Sequence, residues 1–450
     1  YDFYNKGAKF HIDEMRKSIL EKHSLENGLT VLLNQTNFTA ELIETPKNID
    51  ELIIPNDFLY KNKKYTITSI GNYCFSKAKI RKIYIPESVI KFEDFWCGGL
   101  NASEITISPL NKMFKNEENE ENQKFIIGKQ SMSSENYDVL YFLQRNYSGT
   151  FKIPNYIKQI GPCCFEESSI ETVIFPKEVE IIDTGAFYNC SKLNKIEFPP
   201  DSKLRIIGDL SFSFEYCQQQ QFESISIPSN VTKICNGSFN NCTELTTVTF
   251  PDDSKLQSIG SHAFKSTSIK EIIIPSSVTN IGDSAFNDCK ELTKVEILPD
   301  SKLQSIGIEV FGNSPIKSFF IPSKLSEIKE GFFGGIKSNT TIKISDSNPI
   351  FKFDEENQCI IGKSNKISEQ HDTLYFVERN LSEFKIPESI TRIGGYCFSH
   401  CSIQNIIIPA NISEICEYSF FNCLKLQRIE FLPGSKLQSI GSEAFSSTSI

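Results

Sequence analysis

The stretch IPSSVTNIGDSAFNDCKELTKVEI, residues 274–297, decides the fold because it contains one complete unit of a repeat. Its last six residues place apolar side chains at their first, fourth and sixth positions, and this alternation predicts a short strand with one buried face. We expect Val278 and Ile281 to point into the same interior. Gly282 should turn the chain, and Phe286 should enter from the far side. One coil of this size has too little core to be stable alone, so the unit must stack on copies of itself.

Copies of this unit run through most of the chain. The strand of each copy ends in Ile-Pro or a close variant, because proline has no N–H for the next ladder bond. In an uninterrupted stretch these prolines lie 23 or 24 residues apart, at Pro228, Pro251, Pro275, Pro299 and Pro322. This is the period of a leucine-rich repeat. The sequence therefore predicts a leucine-rich repeat solenoid with a continuous parallel β-sheet on one face and turns and short irregular or helical segments on the other.

A longer duplication is superimposed on the short repeat. Residues 114–154 resemble residues 351–387, and each segment carries FIIG or CIIG, a polar loop, and then LYFLQRN or LYFVERN. Two apolar strands around a loop predict a hairpin-like element. We expect these elements to be variant units of the solenoid, at 111–150 and 348–384, rather than separate domains.

The two ends of the chain differ from the repeats. Residues 1–50 do not repeat, and we expect them to form an N-terminal cap that covers the first coil of a solenoid over 51–450. Apolar residues at helical spacing predict a short helix over 9–23, and the segment after it predicts a hairpin. Ile450 is the first apolar position of a further strand, so we expect the array to continue.

Composition and charge exclude several functional classes. The formal net charge is −9, whereas binding to nucleic acid phosphates needs a basic surface. No run of about 18 apolar residues occurs, so we expect no membrane span in this segment. We find no motif for a cofactor and no metal-ligand spacing among the histidines and cysteines. The first residue is not Met, which leaves a removed leader and secretion open.

The cysteines occupy fixed positions of the repeat. Five of them lie three residues after the repeat phenylalanine: Cys190, Cys242, Cys289, Cys401 and Cys423. Other coils have Ala, Ser or Thr at that position, which predicts a small buried thiol rather than a disulfide framework. His400 beside Cys401 suggests a nucleophile pair, but such a site needs residues that converge in a cleft. We therefore expect packed thiols and no enzyme.

The variable strand positions are the candidate binding residues. The fifth position of each strand points away from the interior, so in a solenoid it lines the outer surface of the sheet. The candidates are Tyr84, Ile174, Ile273, Glu296, Phe320 and Ile407. Their apolar members either bind a partner or reflect the β-propensity of a half-buried pleat. A contiguous exposed apolar patch would favour the binding interpretation.

The repeat resembles that of the BspA-like, Treponema-type leucine-rich repeat family. Besides the opening stretch, IPESITRIGGYCFSHCSIQNIII (386–408) and TVTFPDDSKLQSIGSHAFKSTSI (247–269) carry its pattern, whereas VIKFEDFWCGGL (89–100) and EGFFGGI (330–336) depart from it. The resemblance implies a non-enzymatic surface antigen or adhesin, on the cell surface or secreted, of the type found in parasitic protists. It also implies a protein or glycoprotein ligand, such as a host cell surface or extracellular matrix. An intracellular, cytoplasmic scaffold for protein–protein interactions with the same fold is the alternative.

Overall fold

Each repeat folds into one coil that carries a long and a short strand. A computed structural model of the protein describes residues 20–76, 78–100, 102–215, 220–329, 331–332, 340–364 and 369–450. In the opening stretch, the strand Glu271–Ile274 precedes Pro275, and the two-residue strand Asn280–Ile281 follows it. A run of turns through Phe286 then leads to the next long strand, Lys294–Ile297. The solenoid prediction is confirmed, and the far side of the coils is built from turns, since no α-helix occurs in the described ranges.

The chain divides into two compact units. The first unit comprises Tyr1–Leu204 and Glu215–Gln221, and the second comprises Arg205–Phe214 and Phe222–Ile450. The strands described in the first unit are β1 (Glu21–Ser24), β2 (Thr30–Asn34), β3 (Thr39–Glu44), β4 (Glu51–Ile53), β5 (Asp57–Tyr60), β6 (Lys63–Ile70), β7 (Lys82–Ile85), β8 (Lys91–Phe92), β9 (Glu104–Ile107), β10 (Phe114–Glu118), β11 (Lys124–Gly128), β12 (Val139–Leu143), β13 (Ser148–Lys152), β14 (Gln159–Ile160), β15 (Ser169–Ile174), β16 (Ile181–Ile182) and β17 (Lys195–Glu197).

The second unit repeats the same alternation of long and short strands. Its described strands are β18 (Ile206–Ile207), β19 (Ser224–Ser226), β20 (Lys233–Ile234), β21 (Thr247–Thr249), β22 (Ser258–Ile259), β23 (Glu271–Ile274), β24 (Asn280–Ile281), β25 (Lys294–Ile297), β26 (Ser305–Ile306), β27 (Ser318–Ile321), β28 (Glu327–Ile328), β29 (Thr341–Ile344), β30 (Phe351–Asp354), β31 (Cys359–Gly362), β32 (Thr373–Val377), β33 (Arg392–Ile393), β34 (Asn405–Ile408), β35 (Glu414–Ile415), β36 (Arg428–Phe431) and β37 (Ser439–Ile440).

Two rows of parallel ladders join consecutive coils. The long strands pair in short ladders, such as β4 with β7 and β9 in the first unit and β23 with β25 in the second. The short strands form a longer sheet that runs through more coils. In the second unit it contains β18, β20, β22, β24, β26 and β28 in this order. The sequence pattern predicts only the first row. A two-residue strand shows no alternation, so it leaves no period to recognise.

A column of stacked phenylalanines fills the turn side of the coils. Its members in the second unit are Phe212, Phe239, Phe264, Phe286 and Phe311, all at most 1% exposed. The ring centroids of neighbouring members lie 5.1 to 5.8 Å apart, and the ring planes are within 18° of parallel. Each ring therefore packs on the coils before and after it, as the stacking of incomplete cores requires.

The structure corrects the role expected of Gly282. Its backbone does not adopt a positive φ, whereas Ser284 and Asp288 do, at 54° and 59°. A Cβ atom on Gly282 would lie 2.4 Å from the backbone nitrogen of Ser261 in the preceding coil. Gly282 therefore permits close approach of two coils, and the residues on either side of Phe286 make the turn.

The N-terminal segment is a β-structure where it is described. Residues 9–19 of the predicted helix lie outside the described ranges, and the end of that segment is strand β1 rather than helix. Strands β2 and β3 form an antiparallel hairpin, β1 adds to β2, and β6 pairs in parallel with β3. The described residues of this segment belong to the same unit as the coils up to Leu204, and a boundary at residue 50 stays a prediction.

Each hairpin-like variant unit of the duplication, at 111–150 and 348–384, contributes three strands, whereas an ordinary coil contributes two. In the first unit β10, β11 and β12 form an antiparallel meander, and β12 then pairs in parallel with β14. In the second unit β30, β31 and β32 repeat this order, and β32 pairs with β33. The meanders therefore join the short-strand sheets through their last strands.

Candidate binding surface

The fifth-position residues, here called the outer row, lie on the solvent side of the long strands. In β23 the alternate residues Ile272 and Ile274 are buried, whereas Ile273 is 54% exposed. Ile407 is 52% exposed in the same position of β34. The other candidates, Tyr84, Ile174, Glu296 and Phe320, are half-buried. The alternation of the sequence thus places the candidate side chains on one face of their strands.

Within the second unit, each apolar candidate of the outer row lies beside a charged residue of the next long strand. Strand pairing places Ile273 beside Glu296, Phe320 beside Lys343 and Ile407 beside Glu430. The apolar residues therefore do not form the contiguous patch that would by itself favour binding. The surface presents single apolar groups between charges.

The first unit holds an outer-row residue that the candidate set omits. Ile53 is 70% exposed and pairs with Tyr84. Its position in LIIP before Pro55 is the same as that of the other members, so the repeat alignment contained the signal. Ile53 and Tyr84 give this unit one pair of adjacent apolar residues on the outer face.

Ion pairs cross from coil to coil on this face. Lys294 Nζ lies 3.2 Å from Glu296 and 3.7 Å from Glu271 on the preceding strand. The hydrogen bond to Glu296 raises the pKa of Lys294. In the first unit Lys82 lies 3.7 Å from Glu51 and 3.6 Å from Glu104. The charges that flank the apolar groups are thus held in ladders, but they are exposed and weakly stabilising.

The small position after the repeat phenylalanine is a hydrogen-bond donor position. The Sγ atom of Cys289 lies 3.1 Å from the carbonyl oxygen of Phe264 in the preceding coil. Ser314, one coil later, donates its hydroxyl to the carbonyl of Phe286 at 2.8 Å. The same contact recurs for Cys190, Cys242 and Cys423. The prediction of packed thiols is confirmed. The exchange of Cys for Ser and Thr keeps the side chain small, as the sequence indicates, and it also preserves a hydrogen-bond donor.

The described thiols are not arranged for catalysis. Thirteen of the fourteen cysteines are described, and all thirteen are buried and form no disulfide with one another. Burial raises the pKa of Cys289 to about 11 and that of Cys190 to about 12, so neither is a thiolate at neutral pH. The ring of His400 contacts the amide of Asn422 at 2.8 Å, and Cys401 lies in the buried position. The His400–Cys401 dyad is therefore a turn residue followed by a packed thiol.

The sequence pattern did not predict that two arginines, Arg145 and Arg379, are buried. Arg145 donates to the carbonyl oxygens of Cys164 at 2.7 Å and Cys163 at 3.0 Å. Arg379 donates to the carbonyl of Cys397 at 2.6 Å. Each arginine follows the duplicated LYF segment and satisfies turn carbonyls of the next coil, so the signal was the repeated Arg-Asn pair. Their role is structural.

The described ranges contain neither a candidate metal site nor a candidate membrane span. No three His, Cys, Asp or Glu side chains lie close enough together to hold a metal ion. The described part of the chain also has no helix that is long and apolar enough to cross a membrane.

A comparison with protein-family models agrees with the fold. The model of the family described as "BspA type Leucine rich repeat region" matches the sequence in six copies, over residues 47–134, 140–223, 211–340 and 369–450. No curated protein matches the sequence. Similar solved structures include a leucine-rich repeat protein from Bacteroides ovatus, which is 20% identical with 94% of this chain and 92% of that chain covered, at a TM-score of 0.41. A leucine rich cell surface protein from Faecalibacterium prausnitzii is 19% identical, with 91% and 94% covered and a TM-score of 0.32.

A third solved structure, the pneumococcal vaccine antigen PcpA, is 12% identical, with 94% of this chain and 82% of that chain covered and a TM-score of 0.35. The repeat matches cover most of the sequence and include the opening stretch. Repeat solenoids of this kind present extended surfaces for binding. The chain belongs to the BspA-type leucine-rich repeat family.

Proposed function

We propose that this protein is a non-enzymatic binding protein of the cell surface or secreted space, and that its outer row binds a protein or glycoprotein ligand. The observation that carries the proposal is the exposure of Ile273 and Ile407, each beside a charged residue of the next long strand. Apolar anchors surrounded by polar groups are typical of protein interfaces. A host cell surface or extracellular matrix is the ligand class that the family resemblance suggests.

A double variant tests the outer row. Phe320→Glu with Ile273→Glu places two charges on the row, and we expect loss of binding to immobilised extracellular-matrix glycoproteins or to intact host cells. Leu110→Glu with Leu424→Glu is the matched control, because both leucines are exposed apolar residues outside the row. Equal binding by the two double variants would contradict the proposal, and so would the absence of wild-type binding to either probe.

The alternative is an intracellular scaffold for protein–protein interactions. The lack of a disulfide among the described cysteines favours it, because disulfides form in oxidising compartments. The N-x-[ST] sequons of the sequence, which accept N-linked glycans, permit a secreted protein without requiring one, and those in the described ranges are exposed or half-buried: Asn34, Asn37, Asn146, Asn189, Asn230, Asn236, Asn241, Asn380 and Asn411. Asn37, Asn146 and Asn380 are exposed, so a glycan can reach them in a secreted protein, whereas the Nδ2 atoms of Asn241 and Asn411 donate to backbone carbonyls of the preceding coil.

Protease treatment of intact cells distinguishes the two locations. A surface protein is digested under conditions that leave a cytoplasmic marker whole, whereas an internal scaffold survives. Mass spectrometry of the native protein adds a second readout, because occupied sequons require passage through the secretory pathway. Protection from protease together with unoccupied sequons would establish the scaffold.

A further inference from the structure

Two surface clefts occupy equivalent places in the duplication. In the first unit, β9 faces β10 across a cleft of about 380 Å³ that Asn116 lines. In the second unit, β29 faces β30 across a cleft of about 540 Å³ that Phe353 lines. Asn116 pairs with Ile126 of β11, and Phe353 pairs with the corresponding Ile360 of β31. Phe353 therefore stands where the first copy has Asn116.

In the first unit, Asn116 closes the edge of the long-strand ladder. Its Oδ1 atom accepts a hydrogen bond from the backbone N–H of Ile107 at 2.7 Å, and its Nδ2 atom donates to the carbonyl of Ile105 at 2.8 Å. A side-chain amide offers one acceptor and one donor, as a peptide group does. Asn116 thus takes the place that one residue of a neighbouring strand would occupy.

In the second unit, the same edge is open. Among the described strands, β29 pairs with β27 alone, and the amides of Thr341 and Ser345 donate to that side, to Lys317 and Ile321. Backbone groups alternate in direction along a strand, so the groups of the intervening Ile342 and Ile344 point into the cleft. Phe353 has no group to bond them. Within the described part of the chain, neither the Ile342 carbonyl nor the Ile344 N–H has a hydrogen-bond partner.

We propose that the open edge of β29 binds an extended peptide segment of a partner protein as an added strand. A residue of the peptide accepts from the Ile344 N–H and donates to the Ile342 carbonyl, which reproduces the contacts of Asn116. The cleft is lined by Lys343 and Lys352 and also by Asp346 and Glu355, so its charge is mixed. Lys343 lies on β29 itself and has no ion pair among the described residues, so an acidic peptide residue fits opposite it. Addition of a strand to a free sheet edge is a recurrent mode of peptide recognition.

This site meets the outer row at Lys343, but it does not depend on binding by that row. The peptide contacts backbone groups of β29, whereas the function proposed above uses side chains of Ile273 and Phe320. The two proposals can therefore fail separately. Loss of matrix binding in the outer-row double variant says nothing about peptide binding at β29.

Hydrogen exchange tests the open edge directly. We expect the Ile344 amide to exchange fast in the wild-type protein, and the Ile107 amide, which Asn116 bonds, to exchange slowly. Phe353→Asn should close the second edge and slow exchange at Ile344. Asn116→Phe should open the first edge and accelerate exchange at Ile107. Equal protection of the two amides in the wild-type protein would overturn the proposal.

Peptide selection tests the occupant. A displayed library of random peptides is panned on the wild-type protein, and the enriched peptides are synthesised with free and with N-methylated backbone amides. We expect Phe353→Asn to weaken their binding about tenfold or more, since a buried hydrogen-bonded pair is lost, and N-methylation to do the same. Phe353→Leu, which adds no amide, should retain binding.

Three results would overturn the assignment. The first is no enrichment on the wild-type protein over Phe353→Asn. The second is peptide binding that survives N-methylation, since a strand needs its N–H groups. The third is a concentration-dependent dimer, seen by sedimentation and lost in Phe353→Asn, because a second copy of the chain would then be the occupant.

Discussion

Phe286 and Phe320 belong to the same unit, and their surroundings show how the repeat divides its work. Phe286 is fully buried and stacks between Phe264 and Phe311, at 5.3 and 5.8 Å between ring centroids. Phe320 is half-buried on the outer row and lies beside Lys343. The turn side repeats one residue type from coil to coil, whereas the outer row changes at every coil. Stability therefore resides on the turn side, and recognition can vary on the other face at little cost.

Replacing the two phenylalanines by alanine tests this division most strongly. We expect Phe286→Ala to lower the free energy of unfolding by about 3–5 kcal/mol, because the cavity interrupts the stack between three coils. Phe320→Ala is the matched control and should cost less than about 1 kcal/mol, since its ring is already partly in water. Urea unfolding followed by circular dichroism measures both. Comparable losses would mean that the outer row also holds the coils together.

Gly282 gives the next largest effect. A Cβ atom there would meet the backbone of Ser261 and Gly260 at 2.4 and 2.7 Å, and backbone cannot rotate away as a side chain can. We expect Gly282→Ala to destabilise by about 1–3 kcal/mol, as overpacking of a core does. Thermal unfolding measures the loss. An unchanged midpoint would show that adjacent coils separate easily, and the close-approach explanation would be wrong.

The part of the structure that could be predicted is the part that repeats. The Ile-Pro period and the alternation before it predicted the coil and the outward direction of Ile273. The short strand Asn280–Ile281 could not be found in this way, because its pairing depends on neighbouring coils and not on its own two residues. The role of Gly282 was misread for the same reason, since the atoms that exclude a side chain belong to the coil before it.

The open and closed edges show a second limit of the sequence. The two variant units could be aligned, so the replacement of Asn116 by Phe353 was visible as a difference between copies. Its meaning depends on which backbone groups face the side chain. Asn116 bonds backbone groups of Ile105 and Ile107, which lie on another strand and outside the segment that is aligned between the two copies. A polar-to-aromatic change in a loop-flanking strand has no interpretation until the strand beside it is known.

Two substitutions at Cys289 separate size from hydrogen bonding on the turn side. We expect the free energy of unfolding of Cys289→Ser to lie within about 0.5 kcal/mol of the wild-type value, because Ser314 donates the same hydrogen bond one coil later. Cys289→Ala keeps a small side chain but loses the donor to the Phe264 carbonyl, and we expect a loss of about 1 kcal/mol. If the alanine variant were as stable as the serine variant, the position would select size alone.

The charges of the outer row should give the smallest effect on folding. Lys294 bridges Glu271 and Glu296, but its side chain is 56% exposed and water screens both pairs. We expect Lys294→Ala to leave the free energy of unfolding nearly unchanged, and any small change should disappear in high salt. A clear loss of stability that persists in high salt would contradict the division between the two faces. Lys294→Ala should instead alter binding of the ligand, because Lys294 lies beside the apolar row and sets the charge around Ile273.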